Sequence, residues 1–249
     1  MKRAEDQGIK LRIMGAVAIR LHAKSMLEQS DALMRRITDI DFVGYSKQAN
    51  KIEKLISDAG YDSLKAQITP GLLVNRLIFV SKKDPNRHID VFLNELRMSH
   101  TIDYRDQLDK DFPTVSLAHL LLQKMQIVRI NEKDIKDTLA LLLEHTIGYN
   151  DKEMIDDKLI AKTLANDWGF YYTLTTNLEK AKVLLETYQL SPEKKATIKE
   201  RIDSLLRAIE TEPKALRWKL RARVGTKQKW YEEVEEVERA AHLTELNDS

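Results

Sequence analysis

The first half of the chain alternates short apolar runs, typical of β-strands, with stretches whose apolar residues recur at helical spacing. The pattern predicts strands at "KLRIMG" and residues 39–43, 77–81 and 88–92, and helices at 16–27 and 49–59. The polar stretch "KKDPNR" between the last two strands is typical of a turn, so these strands are expected to form an antiparallel hairpin. The first half is therefore predicted to mix strands and helices.

From residue 114 onward the apolar spacing is helical throughout. Ser191 followed by Pro192 is typical of a helix start, because serine caps the free N–H groups and proline suits the first helical position. One apolar face follows that start, formed by Ile198, Ile202, Leu205, Leu206 and Ile209. The predicted helices are 117–130, 132–145, 158–166, 175–188 and the one that begins at Ser191.

These elements predict an α+β fold: a small mixed or antiparallel sheet flanked by helices, followed by an all-helical C-terminal region. The expected division is a core at residues 1–113, helices that complete it at 114–148, and a helical domain at 149–249. The chain has 249 residues, of which 43% are apolar and 32% charged, enough for a substantial core in a soluble protein.

Composition excludes several kinds of chemistry and location. The absence of cysteine excludes disulfides, thiolate nucleophiles and cysteine-ligated zinc. No apolar run approaches the roughly 20 residues of a membrane helix, and "MKRAEDQGIK" lacks the apolar segment of a signal peptide, so we expect a cytoplasmic protein without a membrane partner. The net charge of +2 means that any nucleic-acid surface must be local.

Two acids interrupt a strand-like apolar run in "RITDIDFV". Strand side chains alternate, so Asp39 and Asp41 are expected on one face, with Ile40 and Phe42 on the other. "HIDVF" repeats the anomaly with Asp90. If these strands are neighbours in one sheet, the three carboxylates converge.

Three converging carboxylates repel one another, and a hard divalent cation with oxygen ligands relieves that repulsion. Magnesium is the natural occupant, and Asp39, Asp41 and Asp90 are its candidate ligands. The alternative is structural: Asp39 caps a turn and Asp90 lies on a solvent-facing edge strand.

The stretch "RIMGAVAIRLH" runs from a predicted strand through Gly15 directly into a helix. Backbone N–H groups at such a helix start can bind phosphate. The alternative is a tight strand-to-helix turn that binds no ligand.

Taken together, this strand–glycine–helix element, the Asp-x-Asp strand and the lone Asp on a third strand resemble the nucleotidyltransferase superfold of DNA polymerase beta, kanamycin nucleotidyltransferase and AbiEii-type toxin nucleotidyltransferases. The resemblance implies that Gly15 and Ala16 bind nucleotide phosphate. It also implies that Asp39 and Asp41 hold one or two magnesium ions and that Asp90 activates the attacking hydroxyl.

The sequence departs from this family at Ala16, where serine or glycine is usual, so a hydroxyl contact to phosphate is missing. "RRITDID" is similar to the Arg-x-Thr-x-Asp-x-Asp form of the toxin-like branch. From "DIDFVGYSKQANKIEKL" to "PKALRWKLRARVG", the chain also resembles prokaryotic proteins labelled only as nucleotidyltransferase-like.

Lys124 falls on the buried face of its predicted helix. The resemblance implies that its ammonium reaches the nucleotide phosphates; the alternatives are snorkelling to solvent or pairing with a carboxylate such as Asp90. The family also has acids near Asp134 and Asp137, but Asn131 followed by Asp134 favours an ordinary capped helix start.

The segment "PKALRWKLRARVGTKQKW" is sharply basic. Its cations suit the backbone of a nucleic acid such as transfer RNA. The favoured alternative is structural: the helix packs through an apolar stripe and its cations pair with the following "EEVEEVE". The predicted cationic side is Lys214, Arg217 and Arg221, and the stripe is Leu216, Leu220 and Val224.

The expected function is transfer of a nucleoside monophosphate from a nucleoside triphosphate to a hydroxyl of RNA, protein or a small molecule, with magnesium. The resemblance also implies a possible toxin role with an antitoxin partner. The alternative is a catalytically silent fold that binds nucleotide or a partner protein, for which Ala16 is the main argument. The six histidines show no metal-ligand spacing, although His88 is expected to share a face with Asp90.

Overall fold

The structure is a computed structural model that describes residues 1–23, 37, 39–64 and 75–233. Its centre is a mixed five-stranded sheet in the order β1-β2-β5-β4-β3. A second sheet contains only β6 and β7. The strands are β1 Leu11–Met14, β2 Asp39–Gly44, β3 Tyr61–Ser63, β4 Arg76–Ser81, β5 His88–Leu93, β6 Glu95–Arg97 and β7 Thr101–Asp103.

The pairing of β2 with β5 decides where the candidate site lies. These strands are parallel neighbours, whereas β1 pairs antiparallel with β2, and β4 pairs antiparallel with both β5 and β3. The predicted hairpin of β4 and β5 is confirmed. The β3, β6 and β7 strands were not predicted, since each has only three residues and little apolar pattern.

One face of the large sheet is covered by a helix, α3 at Ala49–Ser57, while the other carries the acids. Ile52 and Ile56 of α3 form a buried cluster with the alternate residues of β4 and β5 that point toward them. Alternation then places Asp90 on the opposite face. The members of this cluster from the sheet include Leu77, Phe79, Ile89 and Val91.

The remaining helices are α1 Lys2–Asp6, α2 Gly15–His22, α4 Leu117–Met125, α5 Glu132–Glu144, α6 Asp157–Asn166, α7 Trp168–Leu185, α8 Pro192–Thr211 and α9 Leu216–Val224. Helices α2 and α4 to α8 build a larger core on the acid-bearing side and beyond it, whereas Ala4 of α1 belongs to the α3 cluster and α9 has no buried residue. The predicted start of α8 is confirmed, because the Ser191 side chain accepts a hydrogen bond from the Lys194 N–H group. The described part of α2 ends before residues 24–27, which lie outside the described residues.

The predicted end of α4 and the predicted start of α7 were wrong, and side-chain hydrogen bonds explain both differences. Helix α4 ends at Met125 rather than at residue 130; Asn177 donates to the Met125 and Ile127 carbonyls, so tertiary contacts satisfy the chain end there. Helix α7 begins at Trp168 rather than at 175, because Asp167 accepts from the Phe170 N–H group at 3.0 Å as an N-cap.

The α+β fold with a mixed sheet, flanking helices and a helical C-terminal region is thus confirmed. None of the described helices combines the length and the apolar character needed to cross a bilayer. The larger core cluster includes residues on both sides of position 148, from Ile13 in β1 to Ile209 in α8.

Candidate functional site

The register of β2 and β5 brings the candidate carboxylates together. Asp41 lies directly opposite Asp90, and Asp39 lies opposite His88, so these residues share one face of the sheet. The His88 Nδ1 atom is 4.0 Å from the Asp39 Oδ1 atom. The condition for convergence, that the strands bearing these acids are neighbours in one sheet, is therefore met by β2 and β5.

Gly15, the first residue of α2, lies against the Asp41 side chain. Its backbone φ is +63°, and a Cβ atom added there would lie 2.3 Å from the Asp41 Oδ2 atom. Glycine is therefore required twice, by the left-handed backbone and by the close carboxylate. The Gly15 N–H group donates to the Gln123 Oε1 atom at 3.1 Å, so Gln123 must turn away before this amide can contact a phosphate.

The surroundings of Asp41 disfavour the ionised form of its side chain. Burial raises its pKa to about 6, and the neighbouring charge of Asp90 acts in the same direction. Lys124 and Arg76 act in the opposite sense but do not cancel the effect. A bound cation would supply the missing positive charge.

Arg76 is a site residue that the sequence analysis missed. Its guanidinium pairs with the Asp90 Oδ2 atom at 2.9 Å and lies 4.9 Å from the centre of the Phe92 ring. A signal did exist in the hairpin: Ile78 pairs directly with Asp90, and Arg76, two residues away on the same strand, shares its face. The sequence analysis predicted the hairpin without a register and began its first strand at residue 77, so it did not place this cation beside Asp90.

Lys124 projects from α4 between two acids of α5. Its Nζ atom is 2.9 Å from both the Asp134 and the Asp137 carboxylates. Burial lowers the pKa of Lys124, but the charges of the two acids outweigh it and raise the pKa above its ordinary value. Lys124 is thus paired with carboxylates, and its partners are Asp134 and Asp137. Asn131 caps α5 as predicted, because its side chain accepts a hydrogen bond from the Asp134 N–H group at 3.0 Å.

Replacing Lys124 with methionine is expected to lower the free energy of unfolding at pH 7 by about 3 kcal/mol, because two largely buried carboxylates lose their shared cation. Urea denaturation measures this directly. Adding Asp134→Asn and Asp137→Asn to the same variant should recover most of the loss. Equal stability of the single variant and the wild type would contradict the proposed role of the ion pairs.

A cleft of about 800 Å³ opens on the acid-bearing face. Gly15, Asp41, Asp90 and Lys124 line it, whereas Ala16 and Asp39 are not among its described lining residues. A further group of residues on its wall was not predicted from the sequence; it comes from α4, the loop after it and the segment after α9. These additional polar residues are Gln123, Arg129, Asn131, Tyr231, Glu232 and Glu233.

The segment after α9 reaches the cleft because Trp230 fixes it on α7. The Trp230 indole donates to the Thr173 Oγ1 atom at 3.1 Å, and the Glu232 N–H group donates to the Ser99 carbonyl at 3.0 Å. Gly169 allows this approach, since a Cβ atom there would lie 2.4 Å from the Trp230 carbonyl oxygen. No local sequence pattern reveals such a contact.

The donor chemistry of the sheet face fits magnesium, which prefers carboxylate oxygens. Among the described residues, however, only His22, His145 and Glu153 hold three potential ligand atoms within 4.8 Å of one another. The carboxylates of Asp39, Asp41 and Asp90 are therefore spread more widely, and side-chain rotation is needed to bring their oxygens around one ion.

The basic segment forms a helix as predicted, but the part of the chain that the structure describes does not bury its apolar stripe. Leu216 is 74% exposed and Leu220 53% exposed, so the packing expected under the structural alternative is not found among the described residues. Two of the three predicted cations are engaged locally: Lys214 donates to the Glu212 carbonyl at 2.9 Å, and Arg221 donates to the Gly225 carbonyl at 2.7 Å. Most of "EEVEEVE" lies outside the described residues.

No family model matches the chain, and no curated protein matches it in sequence. Among solved structures, it is similar to the lincosamide antibiotic adenylyltransferase LnuA with lincomycin bound, at 13% identity and a TM-score of 0.39, over 56% of this chain and 89% of that chain. It is also similar to the antibiotic-resistance factor ANT(2'')-Ia in a solution structure, at 12% identity and a TM-score of 0.35, over 84% of this chain and 92% of that chain. Both scores are too low for the likeness to decide the fold or the function.

Proposed function

We propose that this protein is a magnesium-dependent nucleotidyltransferase that moves a nucleoside monophosphate from a nucleoside triphosphate to a hydroxyl group. The observation that carries the proposal is the register that sets Asp41 opposite Asp90 on adjacent parallel strands, in the wall of an 800 Å³ cleft. Gly15, at the start of α2, touches the same acid. A purely structural sheet has no evident reason to concentrate like charges in a cleft.

Each residue of the site has a role in this proposal. Asp39 and Asp41 would hold one or two magnesium ions, which stabilise phosphate charge and make an acceptor hydroxyl more acidic. Asp90 would accept the proton of that hydroxyl, within reach of its partner Arg76.

The cleft also offers groups for the triphosphate itself. Lys124 lines the cleft and is a candidate phosphate contact, although it must then share its charge with Asp134 and Asp137. The backbone at Gly15 and Ala16 is the second candidate, at the start of a helix that has no side-chain cap.

RNA, including transfer RNA, is the acceptor class that the charge distribution supports best. The stretch from Pro213 to Tyr231 has no Asp or Glu, and Arg217 is exposed. Exposed cations next to apolar side chains suit contacts with a nucleic-acid backbone and bases. A toxin role with an antitoxin partner rests on the family resemblance alone. The Lys and Arg residues of this stretch are Lys214, Arg217, Lys219, Arg221, Arg223, Lys227 and Lys229.

A catalytically silent, nucleotide-binding or partner-binding protein is the second candidate, and two contacts favour it. The Gly15 N–H group is bonded to Gln123, and the Asp90 Oδ2 atom is bonded to Arg76, so these two groups of the site already have partners within the protein. Ala16 offers no hydroxyl to a phosphate.

Incubation with each α-labelled nucleoside triphosphate, magnesium and a cell RNA extract separates the two candidates. We expect label transfer by the wild type, and a loss of at least about 100-fold in Asp39→Ala. Asp62→Ala is the matched control, because Asp62 lies exposed on β3 of the same sheet and pairs at the surface with Lys82. Magnesium-dependent nucleotide binding without any label transfer would favour the silent protein.

A further inference from the structure

A second cluster of polar side chains lies at the end of α2 remote from Gly15. His22, His145 and Glu153 present one ligand atom each within 4.8 Å of one another. The residues come from two distant parts of the chain: His22 ends α2, whereas His145 and Glu153 lie in the loop after α5. Sequence spacing did not reveal this cluster, because the fold alone brings the three residues together.

His145 is buried in a setting that one hydrogen atom cannot satisfy. Its Nε2 atom lies 3.1 Å from the His22 carbonyl oxygen, and its Nδ1 atom lies 2.9 Å from the Glu153 carbonyl oxygen. The Glu153 carboxylate is 3.9 Å from the same Nδ1 atom. A neutral imidazole donates from one nitrogen only, so the lone pair on its other nitrogen faces an oxygen acceptor. A cation at this point removes the conflict.

A side-chain hydrogen bond orients the neighbouring histidine, His22. Its Nε2 atom is 2.7 Å from the Thr114 hydroxyl. In the tautomer that donates this bond, the Nδ1 lone pair remains for a ligand, which is the outer hydrogen bonding typical of metal-binding histidines.

We propose that His22, His145 and Glu153 bind a zinc-type divalent transition metal through two imidazole nitrogens and one carboxylate oxygen. This ligand set is used in open zinc sites, where water takes the fourth position. A cavity of about 230 Å³ lined by His22, Glu153 and Asp111 provides room for that water. Magnesium is a poor occupant, since it prefers oxygen ligands.

Metal binding requires one His145 nitrogen to exchange its carbonyl partner for the metal and the Glu153 side chain to turn inward. Tetrahedral zinc with bonds of about 2.1 Å holds its ligand atoms roughly 3.4 Å apart. The Glu153 side chain is 75% exposed, so it can rotate inward without disturbing the core. The metal then ties the end of α2 to the loop at residues 145–155.

The proposed site is independent of the nucleotidyltransferase proposal but shares a helix with it. Helix α2 has eight residues, Gly15–His22, and therefore spans about 12 Å between the two sites. A metal at His22 fixes one end of the helix whose other end contacts Asp41.

The test is calorimetric titration of the tag-free full chain with Zn²⁺, and with Co²⁺ monitored by visible absorption. We expect one equivalent to bind, a higher melting temperature and the intense absorption of a four-coordinate Co²⁺ site. Glu153→Gln should weaken binding at least about tenfold and remove the thermal shift, because it deletes the charged ligand without changing the core.

Two controls keep the outcome clear. Glu200→Gln makes the same change at an exposed position of α8 and should bind Zn²⁺ like the wild type. Asp41→Asn should also bind it unchanged, which separates this site from the magnesium site. Absence of saturable Zn²⁺ and Co²⁺ binding, or binding that Glu153→Gln leaves unchanged, would overturn the proposal.

Discussion

Asp41→Asn is expected to abolish magnesium-dependent nucleotidyl transfer, with a loss of at least about 100-fold. The asparagine keeps the size of the side chain next to Gly15 but removes the negative charge that a magnesium ion requires. Transfer of an α-phosphate label measures the effect. Transfer at the wild-type rate would exclude Asp41 from metal binding.

The same substitution is expected to stabilise the metal-free protein at pH 8. The pKa of Asp41 rises from 3.8 to about 6 in the folded protein, because of burial and of Asp90. Between these values the folded protein holds a proton that the unfolded chain has released, so stability falls as the pH rises through this window. Above pH 6 the full cost is present, about 3 kcal/mol, and the asparagine avoids it.

Urea denaturation of the metal-free proteins at several pH values tests this second effect. The advantage of Asp41→Asn should be about 3 kcal/mol at pH 8 and should nearly disappear by pH 4, where Asp41 is protonated in the folded wild type. Magnesium should raise the melting temperature of the wild type and leave the variant unchanged. A variant less stable than the wild type at pH 8 would contradict the electrostatic cost.

Gly15→Ala is expected to lower the free energy of unfolding by about 3 kcal/mol and to displace the Asp41 carboxylate. Its Cβ atom would come within 2.3 Å of the Asp41 Oδ2 atom, in addition to the strain of a φ of +63°. Magnesium affinity and label transfer should fall with stability, because the metal ligand itself must move.

Gly8→Ala is the matched control for the backbone alone. Gly8 has a φ of +65°, and a Cβ atom there meets nothing within 4 Å. It should therefore cost about 1 kcal/mol without any loss of label transfer. If the two alanine variants have equal stability and equal activity, the contact between Gly15 and Asp41 contributes to neither property.

Much of the acid-bearing sheet could be predicted because the signal is local. Asp39, Asp41 and Asp90 interrupt apolar strand patterns, and alternation alone assigns their faces. The turn "KKDPNR" predicted the hairpin that the structure confirms. The parallel pairing of β5 with β2 could only be assumed from the sequence, since pairing between distant strands depends on the whole fold.

The rest of the site depends on contacts between distant segments. Gln123 reaches Gly15 from α4, and Tyr231 reaches the cleft only because Trp230 is held on α7. Periodicity correctly placed Lys124 on a buried face, but it could not identify Asp134 and Asp137 as its partners over the alternatives. Histidine spacing likewise missed His22 and His145, which lie 123 positions apart.

The position of the label in the nucleotide tests the central claim most directly. With magnesium and a cell RNA extract, the wild type should transfer label from an α-phosphate and release pyrophosphate, whereas label in the γ-phosphate should leave with the pyrophosphate. Asp41→Asn should do neither. Transfer of the γ-phosphate label, or α-phosphate transfer that persists in Asp41→Asn, would contradict nucleotidyl transfer at the site formed by Asp39, Asp41 and Asp90.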